Sequence, residues 1–234
     1  MLSVLEHEYA RAVEEVQLDD DKTGQWGKPN EALGHHIVAF YARGALNLDS
    51  ALFKAFWAKA PPEVTAAALE QVGHALKDST SVSEDILIRL RSLWEWRVAA
   101  WSGSAAAHAR LEAQQFAWWF ASGHLPLEWA TEQMLHALKQ GGEDGTEFLV
   151  VETFAKLAPK VPQQALAAIR ILAESAQRSG AFFYVDDKVR QVLYRAYQNG
   201  NEAVRSEARK LRDYLLALKF EQVRDIFERP LQEE

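Results

Sequence analysis

The chain has 234 residues, of which 48% are hydrophobic and 25% charged, a balance that argues against a disordered or fibrous protein. Its formal net charge of −7 argues against a general attraction to nucleic acid or anionic lipid. The absence of cysteine excludes disulfides, thiolate metal ligands and cysteine nucleophiles, and it is consistent with the cytoplasmic location that we expect. No apolar run reaches about 18 residues, so we expect no membrane-spanning helix.

Apolar side chains follow the helical period along almost the whole chain. In residues 204–218, for example, one helical face carries Val204, Ala208, Leu211, Leu215 and Leu218. Such patterns predict helices over residues 2–17, 30–44, 50–60, 62–78, 82–102, 108–121, 126–140, 146–158, 162–178, 186–199, 201–218 and 220–228. No comparable stretch alternates with the period of two that a strand requires. The sequence therefore predicts an all-α protein.

Helix ends are marked by residues with specific terminal roles. Pro62 and Pro162 suit a first helical turn, where a missing N–H costs nothing. Asn201 is expected to cap the helix that follows it. Three glycines, Gly123, Gly180 and Gly200, are expected to end helices in the left-handed conformation.

The order of the helices predicts the domain organisation. A polar, glycine-containing segment at residues 19–30 indicates an N-terminal helix and linker over residues 1–29. From residue 30 to 234 the helices pair, and successive pairs begin about 32 to 46 residues apart. This spacing favours an α-α superhelix, a HEAT/armadillo-like solenoid of about five helical pairs. No residue-level repeat accompanies the period, so a compact helical bundle is the alternative.

An aromatic cluster lies at the centre of the chain. Phe116 and Phe120 share a helical face with alanines, and Trp129 falls in the first turn of the next predicted helix. We interpret these three residues as the contact between two antiparallel helices.

Two tryptophans lie outside the apolar faces of their helices. Trp119 shares a face with Glu112, and Trp96 lies on the polar side of its helix. One interpretation buries both between neighbouring repeats. The other places Trp96, Arg97 and Trp119 in an exposed partner-binding patch, because tryptophan and arginine are frequent hot-spot residues.

Motifs for chemistry are missing from the sequence. The seven histidines form no metal-binding pattern, and the phosphate-binding, dinucleotide-binding and nucleophile-elbow motifs are absent. The acidic run at residues 19–21 lacks the spacing of a calcium loop. We therefore predict no catalytic residue, no metal site and no cofactor.

A local basic cluster lies on the predicted helix 201–218. Arg205, Arg209 and Arg212 would contact phosphate in an alternative function as a nucleic-acid-binding module. Acidic residues interleave with them, so a salt-bridged solvent face is the favoured interpretation.

Four segments carry a resemblance to a known group of proteins: LGHHIVAFYARGALNLD (33–49), LWEWRVAAW (93–101), FAWWFASGHLPLEWATEQMLHALK (116–139) and VVETFAKLAPKVPQQALAAIRILAE (150–174). The chain resembles the C-terminal helical-repeat region of large bacterial multidomain proteins, some of them similar to antiphage defence ATPases. The resemblance covers most of residues 30–228 and consists of packing motifs. It implies a region that senses, scaffolds or contacts either a protein partner or other domains of the same polypeptide, and it transfers no catalytic residue.

The sequence therefore favours a non-enzymatic interaction, sensor or scaffold region. The alternative is a HEAT-like nucleic-acid-binding protein or DNA glycosylase, a class that is also helical and rich in tryptophan. The net charge of −7 argues against that alternative, because contacts to phosphate supply most non-specific affinity for DNA.

Overall fold

A computed structural model of the chain describes residues 28–101, 106–141, 145–179 and 187–228. Regular secondary structure in these ranges consists of ten α-helices and one 3-10 helix, without a strand. The all-α prediction is confirmed. The predicted helix at 2–17 and most of the predicted linker lie outside the described residues, so the boundary at residue 29 stays a prediction.

The ten helices begin and end within two residues of their predicted bounds. They are α1 (Lys28–Ala42), α2 (Ala51–Lys59), α3 (Pro62–Asp78), α4 (Glu84–Trp101), α5 (Ala106–Ala121), α6 (Leu127–Lys139), α7 (Glu147–Leu157), α8 (Pro162–Ser179), α9 (Asp187–Asn199) and α10 (Glu202–Ala217). The prediction of a helix at 220–228 is wrong in both type and extent. Only Glu221–Val223 is helical there, and it forms a 3-10 helix. None of the helices in these ranges is both long and apolar enough to cross a membrane.

Most predicted helix ends have the expected geometry. Asn201 Oδ1 accepts a hydrogen bond from Val204 N at 3.0 Å, which confirms the predicted cap. Gly123 has a φ of 73°, as a left-handed helix end requires. Gly200 does not adopt a positive φ, so that prediction is wrong; its missing Cβ instead leaves space for the Val204 side chain. Gly180 lies outside the described residues.

The described residues divide into two compact units, with the boundary between His124 and Leu125, a division that the sequence did not predict. In the first unit α3 lies between α1 and α5, while α4 contacts both α1 and α5. In the second unit α8 lies between α6 and α10, and α9 packs against α7, α8 and α10. In both units, therefore, a helix packs beside the helix two places along the chain.

The contact between α3 and α5 depends on a glycine. A Cβ atom built at Gly73 would lie 2.4 Å from Trp118 Cβ and 3.0 Å from Trp119 Cδ1. Real Cβ atoms do not come this close to the base of a neighbouring side chain, so any other residue would push the two helices apart. The Trp119 indole N–H also donates to the carbonyl oxygen of Leu69, at 2.8 Å, and so joins α5 to α3.

Aromatic side chains fill the centre of the first unit. The Trp94 ring lies 4.3 Å from the Phe116 ring and 5.7 Å from the Trp119 ring, measured between centroids. All three side chains are fully buried, as Phe120 almost is. The predicted burial of Phe116 and Phe120 is thus confirmed. Trp129 belongs to the other unit, so its predicted contact with these residues stays a prediction.

We predict that Gly73→Ala destabilises the protein although alanine favours helix more than glycine does. The added methyl group overlaps the Trp118 side chain, and overpacking of this kind typically costs about 1–3 kcal/mol. Urea unfolding of the full chain measures the change. The control is Gln71→Ala on the exposed side of the same helix, for which we expect a change within about 0.5 kcal/mol. Equal stability of the two variants would contradict the close helix contact.

Candidate functional site

Arg97, a predicted partner-binding residue, lies in a buried ionic cluster between α4 and α5. Its Nε donates to Glu112 Oε2 at 3.0 Å, and its Nη2 donates to Glu112 Oε1 at 2.8 Å. The Trp101 indole N–H donates to Glu112 Oε2 at 2.9 Å, and His108 Nε2 lies 3.3 Å from Oε1. The Glu112 carboxylate is fully buried, and both of its oxygens have partners. Bidentate pairing with arginine is the geometry that best compensates such a buried charge.

Two tryptophan rings cover the Arg97 guanidinium. Its carbon lies 4.6 Å from the Trp57 ring centre and 5.1 Å from the Trp96 ring centre. Trp57 is buried and Trp96 is half-buried. The rings provide cation-π contacts and exclude water from the ion pair, which strengthens its electrostatic attraction.

The structure does not present the predicted trio as one exposed patch. Trp119 is fully buried and Arg97 is 4% exposed, so the expectation of their exposure is wrong; Trp96 alone among the three is partly accessible. The reason lies in Glu112. A face that carries a carboxylate normally points to solvent, but here the carboxylate is paired inside the protein, and Trp119 on the same face is buried with it.

A threonine, a histidine and a glutamate meet in this cluster without forming a catalytic relay. His108 Nε2 lies 3.3 Å from Thr65 Oγ1 and 3.3 Å from Glu112 Oε1. A relay needs the nucleophile on one ring nitrogen and the carboxylate on the other. The buried Thr65 hydroxyl moreover donates to the carbonyl oxygen of Pro62, at 3.0 Å. This arrangement satisfies buried polar groups and does not activate a nucleophile.

The basic cluster predicted on α10 pairs with neighbouring groups. Arg209 donates to Glu202 and to the Tyr197 hydroxyl, both at 3.1 Å, and Arg212 donates to Asp213 at 2.8 Å. Arg205 donates to the carbonyl oxygen of Tyr197, at 3.2 Å. The hydrogen bonds to Tyr197 and Glu202 raise the pKa of Arg209 above the ordinary arginine value. This geometry is that of the salt-bridged surface that the sequence favoured.

Each of the three arginines also lies over an aromatic ring. The guanidinium carbons of Arg205 and Arg209 lie 6.0 and 5.3 Å from the Tyr197 ring centre, and that of Arg212 lies 5.5 Å from the Phe227 ring centre. The two rings stack at 4.3 Å. These contacts hold the arginines near the surface formed by α9, α10 and the turns that follow.

A cleft of about 380 Å³ in the first unit was not predicted from the sequence. It lies between α1 and α3 and extends to the beginning of α4. Its lining consists of His35, Val38, Ala39, Ala42, Arg43, Ala68, Gln71, Val72, Ala75, Leu76, Ser79, Val82, Ile86 and Leu90. The sequence shows that both α1 and α3 contain alanines, but only the structure shows that these alanines face each other.

Two large apolar side chains are exposed in the described part of the chain. Phe148 in the first turn of α7 is 61% exposed, and Ile88 in α4 is 46% exposed. Sequence reasoning missed both, because each continues an apolar run. No group of three or more histidine, aspartate or glutamate residues in the described ranges is placed to hold a metal ion.

Comparison of the chain with protein-family models, with curated proteins and with solved structures gives no match. The resemblance to the repeat region of bacterial multidomain proteins therefore stays a prediction.

We predict that Glu112→Gln lowers the free energy of unfolding by about 3 kcal/mol, because it leaves the Arg97 charge buried without a counter-ion. Urea unfolding followed by far-UV circular dichroism measures the loss. The control Glu132→Gln removes an exposed carboxylate from α6 and should change stability by less than about 0.5 kcal/mol.

A double variant separates the effect of an unpaired buried charge from the effect of altered packing. Arg97→Met combined with Glu112→Leu removes both charges, so it should recover much of the stability that Glu112→Gln loses. A single Glu112→Gln variant as stable as the unchanged protein would show that the ion pair does not hold α4 against α5.

Proposed function

We propose that the chain is a non-enzymatic helical-repeat module that binds a protein partner or other domains of the same polypeptide. The observation that carries this proposal is the packing of helices beside the helix two places along the chain, which occurs in both units: α1 with α3 and α3 with α5 in the first, and α6 with α8, α7 with α9 and α8 with α10 in the second. Stacked helical hairpins produce this pattern, and proteins built from them use their extended surfaces for binding. The HEAT/armadillo-like superhelix of about five pairs is part of the proposal.

The chemistry of the buried cluster supports a structural role over a catalytic one. Glu112 has partners on both oxygens, and the Thr65 hydroxyl already donates to a carbonyl group. A catalytic carboxylate or nucleophile needs a free position toward a substrate. The polar groups at the centre of the first unit are instead used to fix α3, α4 and α5 against each other.

Phe148 is the residue on which we place the binding surface in the second unit. A phenylalanine 61% exposed on a regular helix leaves apolar area in water that a partner would cover. Aromatic residues supply a large share of binding energy at protein interfaces. Because the ring is so exposed, its removal should alter binding without altering the fold.

The origin of the chain within a larger bacterial protein, a role in antiphage defence and a cytoplasmic location are further parts of this proposal. They rest on the resemblance of residues 30–228 and on the absence of cysteine.

We predict that Phe148→Ser abolishes or strongly reduces capture of a specific partner while leaving the thermal unfolding temperature unchanged. The experiment uses the full chain as bait in a lysate of its source cells, followed by quantitative mass spectrometry. Lys156→Ser, an exposed change in the same helix, is the matched control and should capture as the unchanged chain does. Capture of the same proteins in the same amounts by all three baits would contradict the Phe148 surface.

The alternative as a nucleic-acid-binding module predicts a different result. Duplex DNA would then bind with an affinity that falls steeply with salt, and replacement of Arg205, Arg209 and Arg212 by glutamate would abolish that binding. We expect no such binding, because Glu202 and Asp213 already neutralise part of the cluster. Salt-dependent binding that requires the three arginines would favour the alternative over our proposal.

A further inference from the structure

The cleft between α1 and α3 has the size of a small-molecule site. Its volume of 380 Å³ falls in the range of roughly 300–1,000 Å³ that such sites occupy. It follows α1 from His35 to the end of the helix and reaches Arg43, a distance of about 12 Å at the helical rise per residue. An elongated ligand therefore suits the cleft better than a round one.

The cleft is open because its two helices carry small residues where they face each other. Ala39 and Ala42 line it from α1, and Ala68 and Ala75 line it from α3. Larger apolar side chains complete the walls: Val38, Val72, Leu76, Val82, Ile86 and Leu90. A hydrocarbon chain that enters the cleft exchanges water contacts for apolar contacts, which is favourable in proportion to the area covered.

The polar groups of the cleft favour an anion. His35 and Arg43 are the ionisable residues of its lining, and no aspartate or glutamate is among the lining residues. This is notable in a chain whose net charge is −7.

We propose that this cleft binds a small elongated molecule with an apolar body and one carboxylate group. Arg43 at one end of the cleft pairs with the carboxylate, because guanidinium and carboxylate form the strongest charge-assisted hydrogen bonds available to side chains. The apolar body lies along α1 in the direction of His35. The ligand class is that of medium-chain carboxylic acids, and the inference does not depend on partner binding through Phe148.

Isothermal titration of the full chain with octanoate tests the proposal, with 1-octanol as the uncharged probe of the same chain length. We expect saturable binding of octanoate at one site per chain and binding of octanol at least several-fold weaker. Absence of saturable octanoate binding would overturn the proposal. Equal binding of the two probes would also overturn it, because the cleft would then have no preference for a carboxylate.

Two variants locate the binding. Arg43→Gln should weaken octanoate by about threefold to tenfold and leave octanol unchanged, since only the charged contact is lost. Ala75→Leu places a larger side chain in the cleft from an exposed helix position and should abolish binding of both probes. The matched controls are Arg178→Gln in α8 and Ala58→Leu in α2, both exposed and outside the cleft.

Circular dichroism confirms that each variant is folded before it is titrated. Nuclear magnetic resonance adds a reading that does not depend on a variant: octanoate should shift the backbone signals of Ala39, Ala42 and Ala75 and leave those of α8 unchanged. Octanoate binding that persists in Arg43→Gln and Ala75→Leu, or shifts confined to other residues, would place the ligand elsewhere and overturn the assignment.

Discussion

Close packing of alternate helices is the constraint on which the first unit depends. The axes of α3 and α5 can approach only because Gly73 has no side chain where Trp118 and Trp119 lie. Gly34 in α1 lies close to α2 in the same way, because a Cβ there would lie 2.9 Å from Phe56 Cζ, whereas its distance of 3.4 Å from the Ala68 methyl group on α3 would be an ordinary contact. α1, α3 and α5 lie side by side, and the alanines on the facing sides of α1 and α3 leave the cleft between these two helices.

The buried ionic cluster between α4 and α5 is the second contact that fixes the helices of the first unit. Rows of helices joined only by apolar contacts can slide, whereas a buried ion pair with fixed geometry permits one alignment of α4 and α5. Arg97 meets that need because its planar guanidinium binds both carboxylate oxygens and still stacks on Trp57 and Trp96. The cost of burying two charges is offset by these contacts, and the polar groups become part of the packing.

The positions of the helices could be predicted from the sequence, but the burial of the central tryptophans could not. The period of apolar residues located all ten described helices within two residues, because most helices bury one continuous face. The pattern did not predict that Trp119 is buried. Glu112 lies on the same helical face and indicated a solvent-exposed face, but its carboxylate is buried. The pattern failed again at residues 220–228, where Lys219 takes a φ of 72° and stops helix formation. The cleft, the exposed Phe148 and the division at residue 124 depend on which helices face each other, which local pattern does not contain.

The packing of alternate helices can be measured without changing a residue. In a nuclear Overhauser spectrum of the uniformly labelled chain, we expect a cross-peak between the Ala68 methyl and the Gly34 α-protons. We also expect one between the Gly73 α-protons and the Trp118 β-protons, since both pairs are in van der Waals contact. Absence of both cross-peaks, in a spectrum where the contacts within α1, α3 and α5 are present, would contradict the side-by-side packing and the interaction module proposed from it.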